Sequence, residues 1–450
     1  MKFDSSQKAR IIAISTLAYP IVIAQLGGIL QGWADTIMVG QYGTPELSAA
    51  GFVNNIFNLF IFFLLGISYA TTPIVGGFFG QGKYVKVLRT LKESNLVNFL
   101  ASLFIVLLLY IFYLNIGLLG QPVELLPLIR PYFITLLLSL PFMSIFNSMK
   151  QFSDALGDTK TPMWVMIGGN VVNLILNYFF IFTFNLGLLG AGIATLASRV
   201  LMPVFMYILL KKGHLLRSEK FRKAQLEIHH TSYTRRGMQN LFLLGLPISI
   251  QLCLEASSFN ISAIFMGWIG ATALAAHQIM GTVSTLAFMV YYGIGAAATI
   301  RISYFKSQDE WDEVRKTAQT ALLMSLSSGV LIVGSICLIG APIAHLFTTS
   351  EDVALLFLTF LPPFVCYQVG DCLQIIYANG LRAIEHVRAM MMYAFIAYCL
   401  VSIPLSYIFA FPLQMGATGI WWAYPFGLTT AGLCYAYQYH KQVKRQRAIV

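Results

Sequence analysis

The sequence predicts an all-α polytopic membrane protein, with twelve transmembrane helices in two homologous six-helix lobes around a central cavity. Composition is the first observation: 57% of the 450 residues are hydrophobic and 10% are charged, against about 25% charged in soluble domains. Twelve separate apolar runs are the second observation, and an internal repeat is the third. Together they exclude a chain of soluble domains, although 450 residues alone would suggest two or three of them.

Each apolar run is about as long as a helix needs to be to cross a bilayer. They lie near residues 12–38, 48–77, 93–117, 129–149, 162–184, 188–210, 241–266, 274–300, 317–347, 353–378, 389–411 and 416–438. The segment before the first run is short and polar, and that run is too long for a signal-peptide core. We therefore expect no cleavable signal peptide.

The positive charges predict the orientation in the membrane. One alternating set of polar segments holds nearly all the Lys and Arg, including the 211–236 loop, whereas the other set holds Arg130 alone. Arg199 lies within the sixth run. By the positive-inside rule both termini are cytoplasmic, which requires an even number of helices. The net charge of +11 thus reflects topology, with lipid headgroup contact as a second role, and no nucleic-acid partner is expected.

The chain is also a tandem repeat. A shift of 227 residues superposes Pro20 on Pro247 and Gly40 on Gly267, and further along the register slips by four. There Gln151-x5-Gly157 corresponds to Gln374-x5-Gly380. The predicted division is an N-terminal lobe at 1–212, a cytoplasmic linker at 213–239 and a C-terminal lobe at 240–450. Six helices per lobe give both lobes the same orientation, related by an axis along the membrane normal.

Glu255 is a single carboxylate in the middle of the seventh run. Placing a charge at the bilayer centre costs about 2.5–3.5 kcal/mol on insertion scales. Gln251, Ser258, Phe259 and Ser262 share its helix face, so we expect this face to line a watery cavity. The alternative is a buried acid that pairs with a neighbouring helix. The 227-residue shift places Gly28 opposite Glu255, which favours a site over a structural role repeated in both lobes.

Asp371 lies in the tenth run, with Tyr367 one turn earlier on the same face. Pro362–Pro363 are expected to bend the helix before them, and the alternative role for Asp371 is a cap at that break. Phe288 and Phe259 fall near the level of Glu255, where a ring face could meet a cation, although packing is the alternative role for both.

The first half has its own polar candidates. Asp35 lies nearer a helix end, so a plain interfacial acid is the alternative there. Asn173 and Asn177 share one face of the fifth run and Thr195 lies in the sixth, where interhelical hydrogen bonding is the alternative. Arg199 either pairs with an acid or snorkels. Three further acids at the edges of cytoplasmic segments are expected to be solvated: Asp154, Asp158 and Glu385.

Enzymatic motifs are missing from the sequence, which has no HExxH, P-loop or Gly-x-Ser-x-Gly pattern. The six cysteines all lie in apolar runs without metal-ligand spacing, and packing is the expected role. An enzyme is therefore not predicted, and any pumping must use an ion gradient in place of a nucleotide.

These residues resemble the multidrug and toxic compound extrusion (MATE) family, and more narrowly its NorM-like branch. The resemblance spans nearly the whole chain. It is carried by Pro20 with Gln25 and Asp35-Thr-Ile-Met-Val-Gly40, by Gly245-Leu-Pro-Ile followed by Glu255-Ala-Ser, and by Gly370-Asp371-x-Leu-Gln374 with Asn379-Gly-Leu-Arg382.

The resemblance implies two six-helix lobes that export organic cations in exchange for inward Na⁺ or H⁺. Glu255 and Asp371 with Tyr367 match the family's second-lobe cation site, to which Phe288 could add a ring. Asp35 with Asn173, Asn177 and Thr195 is similar to its first-lobe polar network. A second Asp replaces Asn177 in another branch, which puts a first-lobe carboxylate pair in doubt.

The sequence therefore predicts a cation-coupled antiporter, monomeric and without a resident cofactor, that exports amphipathic, mostly cationic drugs across a bacterial inner membrane. Two carboxylates and a phenol oxygen suit a hard cation, so Na⁺ is expected, with H⁺ as the alternative or as a second ion. The alternative function is a lipid-linked oligosaccharide flippase of the same superfamily. That function predicts a cationic cavity, whereas Arg199 is the basic residue clearly within a span.

Overall fold

The computed structural model describes residues 6–119, 122–213, 216–228 and 233–448, and this part of the chain is almost entirely helical. Its α-helices are α1 Gln7–Tyr42, α2 Thr44–Tyr69, α3 Thr71–Gly80, α4 Tyr84–Leu114, α5 Leu126–Ala155, α6 Lys160–Asn177, α7 Gly187–Lys212, α8 Glu219–Ile228, α9 Arg235–Ile269, α10 Ala271–Lys306, α11 Trp311–Leu338, α12 Gly340–Phe347, α13 Glu351–Thr359, α14 Leu361–Ala383, α15 Val387–Ala394, α16 Ile403–Ala410 and α17 Gly416–Arg447. Two π-helical segments, Tyr178–Thr183 and Phe395–Ser402, follow α6 and α15.

The helices confirm an all-α polytopic membrane protein. Among the described residues, ten helical segments are long and apolar enough to cross a membrane, or eleven if a bent pair counts as one span. The twelfth predicted span corresponds to α17, whose 32 residues make it about 48 Å long. Its Gly, Trp and Tyr residues lower its hydropathy, which explains why length and composition select fewer spans than the twelve runs predict.

The bent pair is α13 and α14, whose axes differ by 44° across a one-residue break. Pro362 and Pro363 occupy the first turn of α14, where proline's missing N–H leaves no helical hydrogen bond unmade. The predicted bend before Asp371 is therefore confirmed.

The backbone turns repeat along the chain as the sequence does. Left-handed residues recur at shifts of 227 to 229: Gly82 and Asp309, Gly157 and Glu385, Asn185 and Gln414, Gly187 and Gly416. The predicted four-residue slip is wrong, because Gly380 lies inside α14 while Gly157 follows the end of α5. The helix ends stay within two residues of the original 227-residue shift, and the resemblance of the two Gln-x5-Gly stretches is coincidental.

The residues fall into two compact units by their internal contacts. One comprises 23–249, and the other comprises 1–22 together with 250–450. The division falls inside α1 and α9, so it differs from the predicted lobes at 1–212 and 240–450. Those lobes describe the sequence repeat and stay a prediction. The predicted linker at 213–239 lies partly outside the described residues, and its described part contains α8.

Within the second unit, α14 packs closely against α17 through two glycines. A Cβ on Gly432 would lie 2.7 Å from the Leu373 Cβ, and one on Gly370 would lie 2.7 Å from the Thr429 Oγ1. Small residues permit this approach between membrane helices. The contact restricts the rotation of α14, which carries Asp371 and in which 17 residues are buried.

The 23–249 unit contains one acid whose predicted environment is wrong. Asp154 was expected to be solvated, yet it is 4% exposed, and its Oδ2 accepts a 2.7 Å ion-pair hydrogen bond from Lys150 Nζ. Lys150 is itself buried. The two lie one turn apart on α5 and neutralise each other inside the bundle, which loop-like sequence neighbours do not reveal. Asp158 instead accepts from the Thr161 N–H at 3.1 Å.

Candidate cation and substrate sites

Glu255 lies on α9 and is held from two directions. Its Oε2 accepts hydrogen bonds from Gln251 Nε2, one turn earlier at 2.8 Å, and from Gln374 Nε2 on α14 at 3.0 Å. The residue keeps part of its surface accessible. The bond to Gln374 on α14 matches the alternative of an acid paired with a neighbouring helix, and the watery cavity stays a prediction.

Arg382 is the residue that the sequence analysis missed. From the sequence it is named only in the Asn379-Gly-Leu-Arg382 motif, without a role, but α14 continues to Ala383 and Arg382 is 6% exposed. Its Nη2 donates to Gln251 Oε1 at 2.7 Å, and its charge interacts with that of Glu255. Gln251 therefore bridges a buried cation and the acid. The expectation that Arg199 alone is a basic residue clearly within a span is therefore wrong, since Arg382 is buried in α14.

Asp371 and Tyr367 share a face of α14, as predicted from their spacing, and both are 5% exposed. The Asp371 carboxyl interacts electrostatically with Glu255 and with the Tyr367 phenol. Tyr367 Oη donates to Ser284 Oγ on α10 at 2.9 Å. Asp371 lies one turn before Gln374 on α14, and Gln374 bonds to Glu255, so the two predicted carboxyls belong to one region of the packed α9 and α14, with Tyr367 on the Asp371 face.

Phe288 packs in the apolar layer beside this group. It lies against a buried cluster that includes Ala287, Tyr291 and Cys372, and its ring stacks on Tyr292 with centroids 6.3 Å apart. Phe259 is 37% exposed and lies 5.0 Å from the Tyr424 ring. These contacts fit the packing alternative for both rings.

The first-half candidates form one hydrogen-bonded chain. Asn177 Nδ2 donates to Asp35 Oδ1 at 2.6 Å and to Asn173 Oδ1 at 3.1 Å. Asn173 Nδ2 in turn donates to Thr195 Oγ1 at 3.5 Å. Asn177 is the last residue of α6 before the π-helical segment, and such irregular turns are frequent at functional sites.

Asp35 and Thr195 also line a cavity of about 220 Å³ in the 23–249 unit. Asn54, Tyr132 and Arg199 lie in the same wall, and Tyr132 Oη donates to Asn54 Oδ1 at 3.2 Å. Arg199 Nη1 donates to Ser139 Oγ at 2.9 Å, and its charge interacts with Asp35. The cavity therefore offers a carboxyl, a guanidinium and neutral hydrogen-bonding groups to a small solute.

The two acid centres contain the same types of partner. Each acid has a Gln one turn earlier on its own helix, Gln31 before Asp35 and Gln251 before Glu255, and Gln251 donates to Glu255. Each also accepts from an amide on another helix and has an arginine nearby, the half-buried Arg199 for Asp35 and the buried Arg382 for Glu255. A Gln four residues before an acid is visible in the sequence, and it is the signal that could have identified these supporting residues.

Gln374 shows what the Glu255 centre could hold. Its Nε2 is directed at the carboxylate, which leaves Oε1 buried and without a hydrogen-bond partner among the described residues. Carboxylate, amide and phenol oxygens are the ligands that hard cations prefer. No group of three His, Cys, Asp or Glu that could hold a metal occurs in the described part of the chain. By donor type, the carboxylate and amide oxygens of the centre could hold a hard cation.

A polytopic helical bundle with acids embedded in its spans defines the chain as a membrane transporter. The MatE family model matches twice, at residues 20–179 and 247–408, and the two matches begin at the prolines that the 227-residue shift superposes. The protein belongs to the MatE family. The predicted family is thereby confirmed, and so is the prediction that the chain is no enzyme.

Curated relatives match over most of the chain. The Multidrug resistance protein NorM of Vibrio vulnificus (strain YJ016) is 27% identical over 432 residues, which cover 94% of each chain. The Multidrug resistance protein MdtK of Edwardsiella ictaluri (strain 93-146) is 27% identical over 437 residues, again with 94% of each covered. The eukaryotic MATE transporter AtDTX14 has the same fold, with a TM-score of 0.87 at 17% identity over 98% of this chain and 99% of that one.

Proposed function

We propose that this protein is a cation-coupled antiporter that exports amphipathic, mostly cationic drugs and toxic compounds. The observation that carries the proposal is the Glu255 centre, where one acid is held between α9 and α14 with a second acid beside it. Relatives that cover 94% of the chain are named multidrug resistance proteins, which supports drugs as the transported class.

Exchange follows from competition for the acids. Two nearby carboxylates repel each other unless a proton or a cation neutralises one of them. A coupling ion at Glu255 and Asp371 and a cationic drug therefore stabilise different conformations of the transporter. Each shifts the population toward its own preferred state, and alternation between those states moves the two in opposite directions.

Na⁺ is the coupling ion that the donor set supports best, with H⁺ as the alternative or as a second ion. Glu255 and Asp371 supply negative charge, while the Tyr367 hydroxyl and Gln374 Oε1 supply neutral oxygens. A site for H⁺ alone needs a single titrating acid and has no use for the neutral oxygens. No resident cofactor takes part in this scheme.

Transport in everted membrane vesicles tests the proposal. Vesicles loaded with Na⁺, with the pH gradient collapsed by an ionophore, should accumulate a fluorescent organic cation. Vesicles with a pH gradient and without Na⁺ form the matched arm. Accumulation in the second arm alone would overturn Na⁺ coupling, and accumulation in neither arm would overturn antiport.

The flippase alternative has less support. Its distinguishing feature is a cationic cavity for pyrophosphate, and Arg382 does add a buried cation to Arg199. However, Arg382 is 6% exposed and is bonded to Gln251, so its guanidinium is already committed to the Glu255 centre.

The proposal places a monomer in a bacterial inner membrane with both termini in the cytoplasm. The basic segments support this orientation through the positive-inside rule. Single-cysteine labelling in intact cells tests it, since a cysteine at Lys212 should resist a membrane-impermeant reagent and one at Glu124 should react.

A further inference from the structure

A basic groove lies between the start of α4 and the short helix α8. Its cavity of about 400 Å³ is lined by Lys83 and Lys86 on one side and by Lys220 and Lys223 on the other, with Glu227 as the acid in its lining. Four cations and one anion give these lining side chains a net charge of +3. All four lysines are exposed, so a solute can reach them.

The groove is a built feature because aromatic packing fixes α8 against α4. Phe221 is 1% exposed, and its ring lies 5.0 Å from Tyr84 and 6.4 Å from Phe79. Residues 221 and 224 of α8 face inward and are buried, while Lys220 and Lys223 lie beside them on the groove side. The apolar contact therefore holds the two lysine pairs at a fixed separation.

Three of these lysines contact neutral groups. Lys83 Nζ donates to Gln81 Oε1 at 2.7 Å, Lys86 lies 5.4 Å from the Phe78 ring and Lys220 lies 5.8 Å from the Tyr84 ring. Lys223 pairs with Glu219 at 2.8 Å, but both side chains are more than 70% exposed, and such surface pairs are weak. An anion would thus find positive charge that the protein itself leaves largely uncompensated.

We propose that this groove binds the phosphate of an anionic lipid headgroup on the side of the membrane predicted to be cytoplasmic. Ammonium groups attract phosphate as point charges from several directions, and a cavity of this size admits a phosphoglycerol headgroup. Lipid is favoured over free phosphate because α8 also presents Leu226, which is 69% exposed, beside the exposed Arg222. An exposed apolar residue on a short basic helix is typical of helices that lie at the membrane interface.

Thermal unfolding of the purified full chain in a nonionic detergent tests the proposal. Phosphatidylglycerol added in steps should raise the unfolding midpoint, whereas phosphatidylcholine should not. Lys86→Gln and Lys220→Gln should each raise about fivefold the phosphatidylglycerol concentration that gives half of the maximal midpoint shift. This is the change expected for the loss of one lysine near an anionic lipid surface. The double Lys86→Arg/Lys220→Arg variant should retain the effect, and Lys212→Gln, outside the groove on the same predicted side, is the matched control.

Three results would overturn the proposal. Equal midpoint shifts with the two lipids in the wild-type chain would show that the groove does not recognise an anionic headgroup. An equally weakened response in Lys212→Gln would show that general positive surface charge, and not the groove, attracts the lipid. Stabilisation by sodium phosphate without any effect of phosphatidylglycerol would assign the groove to a soluble phosphate and overturn the lipid source. Displacement of the phosphatidylglycerol effect by added sodium phosphate would support phosphate recognition.

Discussion

The Glu255 carboxylate is costly in an apolar span, and polar partners surround it. Its position in an apolar span disfavours insertion by about 2.5–3.5 kcal/mol. Gln251 and Gln374 donate to it, and Arg382 adds a buried positive charge through Gln251. These contacts lower the cost of the carboxylate while they leave it partly accessible, as an exchangeable ion requires.

Replacement of Glu255 by Gln should reduce drug export to the level of cells that lack the transporter, with normal insertion and expression. The variant removes the charge that attracts the coupling cation, and the neutral side chain enters the bilayer more easily. Drug resistance of expressing cells, with membrane protein quantified in parallel, provides the measurement. Glu385→Gln is the matched control, because that carboxylate is 43% exposed and pairs with Lys306. Near-wild-type resistance at normal expression would show that Glu255 is dispensable.

The sequence predicted the acids and the polar residues on their own helix faces, but not the partners that other helices bring to Glu255. A charged residue in an apolar run is conspicuous wherever it occurs, so Asp35, Glu255 and Asp371 could be found from the sequence. The partners Gln374 and Arg382 depend on how α14 rotates against α9. That rotation follows from glycine contacts with α17, which no local pattern encodes.

At the scale of elements, helix ends are the most regular feature of the chain. After α5, the Asp158 N–H bonds Ser153 O and the Gly157 N–H bonds Asp154 O, which is the Schellman pattern with Gly at the left-handed position. After α14, His386 and Glu385 make the same two bonds to Leu381 and Arg382. The two halves thus end equivalent helices in the same way, although only the first uses glycine there.

Gly157→Ala should destabilise the protein by about 1 kcal/mol, since Gly157 has φ 85° and a left-handed conformation costs an L-residue roughly that much. Space is not the cause, because a Cβ there meets no atom within 4 Å. The thermal midpoint of the purified protein should fall by a few degrees. Gly77→Ala, within α3 and with equally open surroundings, should leave it unchanged or raise it. A Gly157→Ala midpoint equal to wild type would show that this turn relaxes without strain.

At the scale of the whole molecule, the repeat was predictable and its divergence was not. The 227-residue shift, the two family-model matches and the paired turns agree on two copies of one helical plan. The acid centres break that plan, since Asp35 corresponds to Ser262 and Glu255 to Gly28 under the same shift. Each copy nevertheless has an acid, a Gln one turn earlier and a nearby arginine, at different positions.

This divergence implies that the two centres have separable roles. Asp35 lines a cavity that also contains Arg199 and neutral polar groups, whereas Glu255 has a second acid beside it. A single carboxyl among neutral polar groups suits proton binding or a drug cation, and paired carboxyls suit a metal cation. Loss of one centre should therefore change transport in a different way from loss of the other.

Asp35→Asn should lower export several-fold and flatten its pH dependence, while the ratio of rates with and without a Na⁺ gradient is kept. The amide preserves the size of the side chain but cannot titrate, so any protonation step at Asp35 disappears. Everted vesicles assayed across neutral pH at a fixed Na⁺ gradient provide the measurement, with Asp352→Asn, an exposed acid in the first turn of α13, as the matched control. If the rate and the pH profile both match wild type, Asp35 is only an interfacial acid. If the Na⁺ ratio falls as well, the two centres act as one.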